Sequence, residues 1–295
     1  MEGGRERRVV RIDGRAAHGQ AALAGVLRAV WLTPAMDRLF IEGADNRRRF
    51  LDRLVFALDP EHAGRLAAYD RALRERARLL RRGVRDDAWL AALEATMAGW
   101  AVAVAAARRD AAARLDAACA DGVGPFPGAR LAVAGTVEAW LDEAAAVDVE
   151  ERLAARLRGA RATDAEAGGA VAGPHRSDLR AWHAGRGVPA AQGSTGEQKA
   201  MLIAIVLAHA RLLADTAGGV PLLLLDEVAA HLDAERREAL FTTLAGLGTQ
   251  AWLTGTDAAL FTGPPGWAQH FRVADATLYP LDGAPDTTTT TGNDA

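Results

Sequence analysis

The chain has 295 residues, half of them apolar, a formal net charge of −3 and a single cysteine, Cys119. One cysteine excludes an internal disulfide framework and fits a reducing cytosol, and the small net charge excludes a global pull toward nucleic acid. No charge-free apolar stretch reaches the ~18 residues of a membrane span, and the opening Met1-Glu2-Gly3-Gly4-Arg5 lacks the apolar core of a secretion signal.

In chain order, residues 8–33 read as strands and a turn, with Asp13-Gly14 as the hairpin signal. Residues 46–120 read as helical. Leu66, Tyr69, Leu73, Ala77 and Leu80 recur at helical spacing, and so do Leu90, Leu93, Met97, Trp100 and Val104. Gly83 separates the two stripes, which predicts an antiparallel pair of long helices with both stripes in the core. Cys119 reads as one more small apolar residue on an Ala-rich helix. Residues 122–128, with Pro125 and Pro127, end this lobe. Residues 131–140 read as a strand and 148–161 as a helix. Gly168 and Gly169 mark a loop. Residues 179–183 and 188–191 flank Gly185-Arg186-Gly187 and read as a hairpin. Residues 285–295, with five consecutive Thr, read as a disordered tail.

Chemistry concentrates in two segments. The first is Gln192-Gly193-Ser194-Thr195-Gly196-Glu197-Gln198-Lys199, followed by an apolar helical run. Ser or Thr before a helix, with Gly giving close backbone approach, builds a helix start that can receive an anion. The second is Pro221-Leu222-Leu223-Leu224-Leu225-Asp226-Glu227-Val228, with His231-Leu232-Asp233 close behind. A short apolar run that ends in two acids reads as a parallel strand buried on both faces. Such a strand delivers Asp226 and Glu227 to its carboxyl end, where open α/β sheets place ligands. One carboxylate there can hold Mg²⁺ through its water shell, and its neighbour can orient an attacking water. The order S-T-G-E-Q, helix, strand, Asp-Glu, Leu-Asp is that of the second half of an ABC-type ATPase head. A P-loop, G-x-x-x-x-G-K-[ST], is absent: the only lysine is Lys199, inside the signature segment. The expectation is therefore a chain whose P-loop portion would precede residue 1.

Charge is uneven. From 38 to 85, thirteen Arg stand against seven Asp or Glu, enough excess to engage phosphates. Solvated helix faces explain the same count. His175 and Arg176 follow Gly173-Pro174 and read either as exposed phosphate contacts or as a loop-closing hydrogen-bond hub. His209 and His231 have no partner at metal spacing and read as structural.

Other blocks carry a family resemblance. Trp31-Leu32-Thr33-Pro34-Ala35-Met36-Asp37-Arg38-Leu39 resembles a V-x-F-x-P-x-D-L segment. The run from Gly43 to Asp52 resembles G-x-P-x-x-R-R-x-F-L-D, and Gly173-Pro174-His175-Arg176-Ser177-Asp178-Leu179 resembles G-P-H-R-D-D-L with Ser177 in place of the first Asp. The run from Tyr69 to Leu80 resembles a Y-x-R-A-L-x-x-R-N-x-L-L helix, with Ala77 in place of Asn. With the ATPase motifs, these blocks resemble the RecF family of bacterial recombination mediators over about 8–275.

The resemblance implies an α/β fold, an ABC-type head lacking its P-loop portion, with an inserted helical lobe. Residues 1–45 would be partial head strands, 46–125 the lobe and 126–284 the rest of the head. It further implies ATP and Mg²⁺ as ligands of the complete protein, with Asp226 as the Mg²⁺ partner and Glu227 as the water-orienting base. Ser194, Thr195, Gly196 and Gln198 would serve the ATP of the opposite subunit of a homodimer, with Asp233 at the seam. Thr254 would stand where many ABC heads carry a His that senses the γ-phosphate. Arg74, Arg78, Arg81, Arg82, His175 and Arg176 would contact DNA. The implied work is cytoplasmic, at single-strand gaps with RecO and RecR in loading RecA, and without a membrane. The rival readings are a non-catalytic remnant or dimerisation fragment of such a head, an ABC transporter subunit, which Val228 in place of the usual Pro disfavours, and an SMC-type protein, which needs far more coiled coil.

Overall fold

Two short antiparallel strands, β1 (Val10–Ile12) and β2 (Arg15–Ala17), meet across Asp13 and Gly14, and both turn residues take positive φ, 50° and 77°. That is the backbone a two-residue D-G hairpin requires. The computed structural model describes residues 9–281 apart from 18–21, 24, 25, 85, 217–219, 231 and 262–267. His231, Arg85 and the expected tail at 285–295 lie outside the described residues.

Strand β3 (Ala29–Leu32) leads through a 3-10 turn at Pro34–Met36 into α1 (Ala44–Leu58), α2 (His62–Arg81) and α3 (Asp87–Cys119). Gly83, at φ 67°, makes the turn between α2 and α3, which pack together as the apolar stripes predict. Trp100 departs from its stripe: it is exposed, while Leu90, Met97 and Val104 are buried. Next come β4 (Ala129–Ala134), α4 (Thr136–Glu143), α5 (Ala146–Gly159), α6 (Arg161–Ala167) and β5 (Asp178–His183). The single strand expected over 131–140 is thus a strand and a helix divided at Gly135. Strand β5 pairs antiparallel with β4 rather than with 188–191. That stretch touches β5 only through a bridge at Pro189 and then forms a 3-10 turn, Ala190–Gln192. Pro189 has no N–H to extend a ladder.

The last part holds α7 (Thr195–Thr216), β6 (Leu222–Leu225), α8 (Ala234–Gly246), β7 (Ala251–Leu253) and the hairpin of β8 (Phe271–Ala274) with β9 (Thr277–Pro280). Strand β6 is central in a parallel sheet of order β3-β6-β7. Every residue of α7 from 198 to 210 is buried, as in a helix that runs through the middle of a core. Strand β6 corrects the expectation of burial on both faces. Leu223 and Leu225 are buried, but Leu224 is 39% exposed, and in register it sits between Trp31 and the exposed Trp252.

The buried residues form two main cores. The larger joins β3, α1, α7, β6, α8 and the C-terminal end of α3. The second joins α2, the middle of α3, α4 and α5. The expected lobe of 46–125 is accordingly shared: Phe50, Leu51, Leu54 and Val55 of α1 belong to the larger core, and Val149 and Leu153 of α5 to the second. Helix α3 is long and apolar enough by composition to cross a membrane. Its place in both cores, and its buried Glu94 and Arg108, make it an internal helix here.

Candidate functional site

The sheet ladder continues one step beyond β6. Asp226 N–H donates to Leu32 O at 2.9 Å and Thr254 N–H to Leu225 O at 3.1 Å. This sets Asp226, Glu227 and Thr254 side by side at the carboxyl edge. Thr254 Oγ1 lies 2.5 Å from Asp226 Oδ1 and 3.2 Å from Glu227 N. A carboxylate only accepts and an N–H only donates, so the hydroxyl proton goes to Asp226 and the backbone N–H donates to the hydroxyl oxygen. Glu227 has φ 53°, in the left-handed region, which costs a non-glycine residue about 1–2 kcal/mol. Its peptide is held at both ends, since Lys199 Nζ donates to its carbonyl oxygen at 3.3 Å and also pairs with Asp37 at 3.4 Å. Among the described residues the Glu227 carboxylate and Asp226 Oδ2 have no hydrogen-bond partner. Both are free to meet water or a cation.

The signature segment opens α7 with a capping box. Ser194 Oγ accepts from Glu197 N–H at 3.3 Å, and Glu197 Oε2 accepts from Ser194 N–H at 2.7 Å. The S-x-x-E spacing is what this reciprocal bond needs. The Ser194 N–H is also the main reason the Glu197 carboxyl sits below its ordinary value, with Arg186, 2.7 Å away, adding to it. Ser194 and Thr195 are exposed, and a side chain at Gly196 would meet nothing within 4 Å. Gln198 points the other way: it is buried and its amide donates to Gly193 O at 2.8 Å, holding the loop before the helix. Asp233 caps α8 by accepting from Arg236 N–H at 2.8 Å.

The basic window divides. Arg74 and Arg81 of α2 and Arg82 at its C-terminal cap are exposed, with Arg81 donating to Gly168 O at 3.3 Å, and Arg78 pairs with Glu75 at 3.0 Å. Arg76 is fully internal, bonded to Glu94 at 2.9 Å, Asp164 at 2.6 Å and Leu157 O at 2.6 Å. His175 is the hub of its loop. Its Nε2 lies 2.8 Å from Ala170 O, which can only accept, so Nε2 carries the proton and Nδ1 accepts from the Tyr69 hydroxyl at 2.6 Å. Burial, then Arg176 and Arg48, keep the imidazole below its ordinary pKa and hence neutral. Both ring nitrogens are thus engaged, by Ala170 O and by Tyr69, the arrangement of a loop-closing hub. Arg176 is exposed and donates to the same carbonyl. Gly173 has φ 137°, and a Cβ there would strike the Tyr69 hydroxyl, so the G-P-H-R glycine is required twice over. His209 is internal, its Nε2 donating to Leu54 O at 3.1 Å, and burial pushes its pKa down to about 4. Cys119 is buried with its thiol pushed up to about 12, chiefly by burial, and is inert.

Motif reading missed the junction where the two family blocks meet. Arg108 grips Asp52 with two bonds of 2.8 Å and donates to Pro174 O at 2.6 Å. His62 Nε2 lies 2.8 Å from the same carboxylate. Despite desolvation, the largest influence, the bonds from His62 and Arg108 hold the Asp52 carboxyl below its ordinary value. Arg47 pairs with Asp178 at 2.7 Å and Arg48 donates to Ser177 O at 2.6 Å. Ser177 itself is buried and donates to Glu138 Oε1 at 2.6 Å. The only available signal was the two blocks themselves, and they gave no hint of Arg108, His62 or Glu138.

Among the described residues no three His, Cys, Asp or Glu cluster as a metal cage. The open Asp226 carboxylate nonetheless suits Mg²⁺, which takes one or two carboxylates and keeps waters and phosphate oxygens as its other ligands. A parallel sheet whose central strand ends in Asp-Glu, beside a buried helix that starts at a capped S-T-G-E-Q, defines an ABC-type ATPase head, here with an inserted helical lobe.

Comparison with known proteins agrees. No family model matches the chain. DNA replication and repair protein RecF of Mesorhizobium japonicum is 51% identical over 286 residues, covering 96% of this chain and 74% of that protein. The protein of the same name from Brucella suis biovar 1 is 49% identical over 280 residues, 94% and 72% of the two chains. The solved structure of the recombination mediator protein RecF-ATP in the RecFOR pathway superposes with a TM-score of 0.78 at 22% identity, over 93% of this chain and 74% of that one. A second structure, RecF-ATPrS, gives 0.79 at 21%, over 92% and 73%. These two likenesses establish the fold. The chain belongs to the RecF family of DNA replication and repair proteins, and it spans about three quarters of the length of the relatives it matches.

Proposed function

We propose that this chain serves DNA repair at single-strand gaps in the cytosol, as the signature-bearing part of an ATP-dependent clamp that dimerises on DNA and works with RecO and RecR to load RecA. The observation that carries the reading is the Asp226-Thr254-Glu227 cluster at the end of β6, with α7 tied to it through Lys199. Asp226 would be the Mg²⁺ partner and Glu227 the group that orients water. Thr254 aims Asp226 by donating its hydroxyl proton to Oδ1. Bound Mg²⁺ and ATP would supply the charge that draws two subunits together. The outward Ser194, Thr195 and Gly196 would meet a phosphate presented by the opposite subunit, with Asp233 near the seam. Gln198 supports that surface from behind. Without a P-loop lysine in these residues, the chain as given should not turn ATP over.

DNA would be held through Arg74, Arg78 and Arg81 of α2, through Arg82 at its C-terminal cap, and through Arg176. The test is the salt dependence of duplex binding by residues 1–295. Each phosphate contact contributes about 0.9 to the slope of log K against log salt. Changing Arg74, Arg78, Arg81 and Arg82 to Gln, a good helix former, should flatten the slope by about two to four while leaving the melting curve intact. An unchanged slope would assign the lobe a spacer role.

A further inference from the structure

Between α1, α2 and the loop before β5 lies a recess of about 220 Å³, lined in part by Arg48, Arg49, Arg108, Tyr69 and His175. It is the place where the block from Gly43 to Asp52 meets the block from Gly173 to Leu179. We propose that this recess is a binding site for a single phosphate group, held by Arg48 and Arg49, and distinct from the ATPase motifs. This goes beyond the DNA reading, because the site would stand whether or not DNA supplies the phosphate.

Three carboxylates also line the recess, so the argument turns on what each one does. Asp52 is already occupied by Arg108 and by His62. Asp45 is 76% exposed, and its pairing with Arg48 is an i,i+3 contact at the rim. An ion pair whose carboxylate is open to water holds weakly, so an incoming phosphate can take the place of Asp45 on Arg48. Asp70, on α2 next to Tyr69 in sequence, is a lining acid that opposes an anion. Against these, Arg48 is mostly buried with one arm fixed on Ser177 O, which aims its guanidinium. Burial, and next the Arg108 guanidinium, hold Arg48 below its ordinary pKa. Arg49 is exposed and, among the described residues, has neither ion pair nor hydrogen bond. Two adjacent guanidiniums, one aimed and one unengaged, suit the several oxygens of a phosphate. The Tyr69-His175 bond closes the floor with no polar hydrogen left over.

Two sources share this chemistry: a phosphate of a DNA strand, and free phosphate or a phosphorylated small molecule. The experiment uses residues 1–295 and inorganic phosphate, titrated against chloride at fixed ionic strength, read by phosphorus NMR line broadening and by thermal melting. Saturable broadening with a rise in melting temperature is expected. Arg49→Gln should weaken it about tenfold, the loss of one charge-assisted contact, with the same melting temperature as wild type in chloride. Arg158→Gln, on the exposed face of α5, should change nothing. Phosphate acting no differently from chloride, or an Arg49→Gln titration that overlays wild type, overturns the proposal. A second arm adds a 5′-phosphorylated single strand and its unphosphorylated twin. If inorganic phosphate competes with either strand in wild type but not in Arg49→Gln, DNA supplies the group. If phosphate binds through Arg49 while neither strand binds, the site holds and the DNA reading fails. If both strands bind and inorganic phosphate does not, the DNA reading holds and the site fails.

Discussion

At the end of β6, Asp226 and Glu227 face solvent with a single hydroxyl between them. At the junction of α1, α2 and α3, Asp52 is enclosed by a bidentate guanidinium and a histidine, and only His62 Nδ1 among these side-chain atoms lacks a partner. The first region keeps its valences open and adds little to the fold. The second closes them and joins three helices to one loop. A charged group held by nothing is available to a ligand, whereas one held from every side is part of the scaffold. The contrast therefore separates chemistry from architecture within one chain, and it can be graded by mutation.

The largest effect belongs to the closed region. Arg108→Ala strips Asp52 and Pro174 O of their donor at once, and removing one partner of a buried pair costs about 3–5 kcal/mol. Chemical denaturation at pH 7.5 should show that loss; a change under about 1 kcal/mol would mean the junction is loosely hydrated and the contrast false.

Next is acid. His209 has its folded pKa depressed to about 4, so the unfolded chain takes up a proton that the folded chain refuses. Stability from this group is fully present above pH ~6.5 and is lost as pH falls toward pH 4, at roughly 1.4 kcal/mol per pH unit. His209→Leu should flatten that limb of the stability profile. A limb that persists in the variant would assign it to other groups, and comparisons of the two regions would then need a different pH.

Ser194→Ala removes one half of the capping box and should cost about 1 kcal/mol, read from the urea midpoint at constant slope. Smallest is Asp226→Asn, which keeps an acceptor for Thr254 and removes only an exposed charge. It should lie within about 0.5 kcal/mol of wild type. A larger loss would show that the strand end carries structural weight and would collapse the distinction.

How much of this could be read beforehand follows from the range of the interactions. The buried α7, strand β6 and the acidic pair at its end were legible because each is a local run with a local pattern. So were the D-G hairpin and the α2–α3 pair. The division of 131–140 at Gly135 was not, since a short alternating run fits a strand and the first turn of a helix equally. Trp100 was misplaced because spacing alone does not say how wide the buried face of α3 is. The thirteen arginines counted as one basic window include Arg76 and Arg47, whose partners Asp164 and Asp178 lie far along the chain. No local reading could tell those arginines from Arg74 or Arg82. The outward row of Trp31, Leu224 and Trp252 was hidden for a related reason: four leucines in sequence look the same whether one sheet face is covered or two.

Helix α3 runs for 33 residues, a rod of about 50 Å at 1.5 Å per residue. It lends Met97, Ala101 and Val104 to one core, and Ala111, Leu115 and Cys119 to the other. Neither core can come apart without disturbing the same rigid rod. Head and lobe should therefore melt together in one cooperative step, and a mechanical pull on the lobe should reach the ATPase motifs undamped.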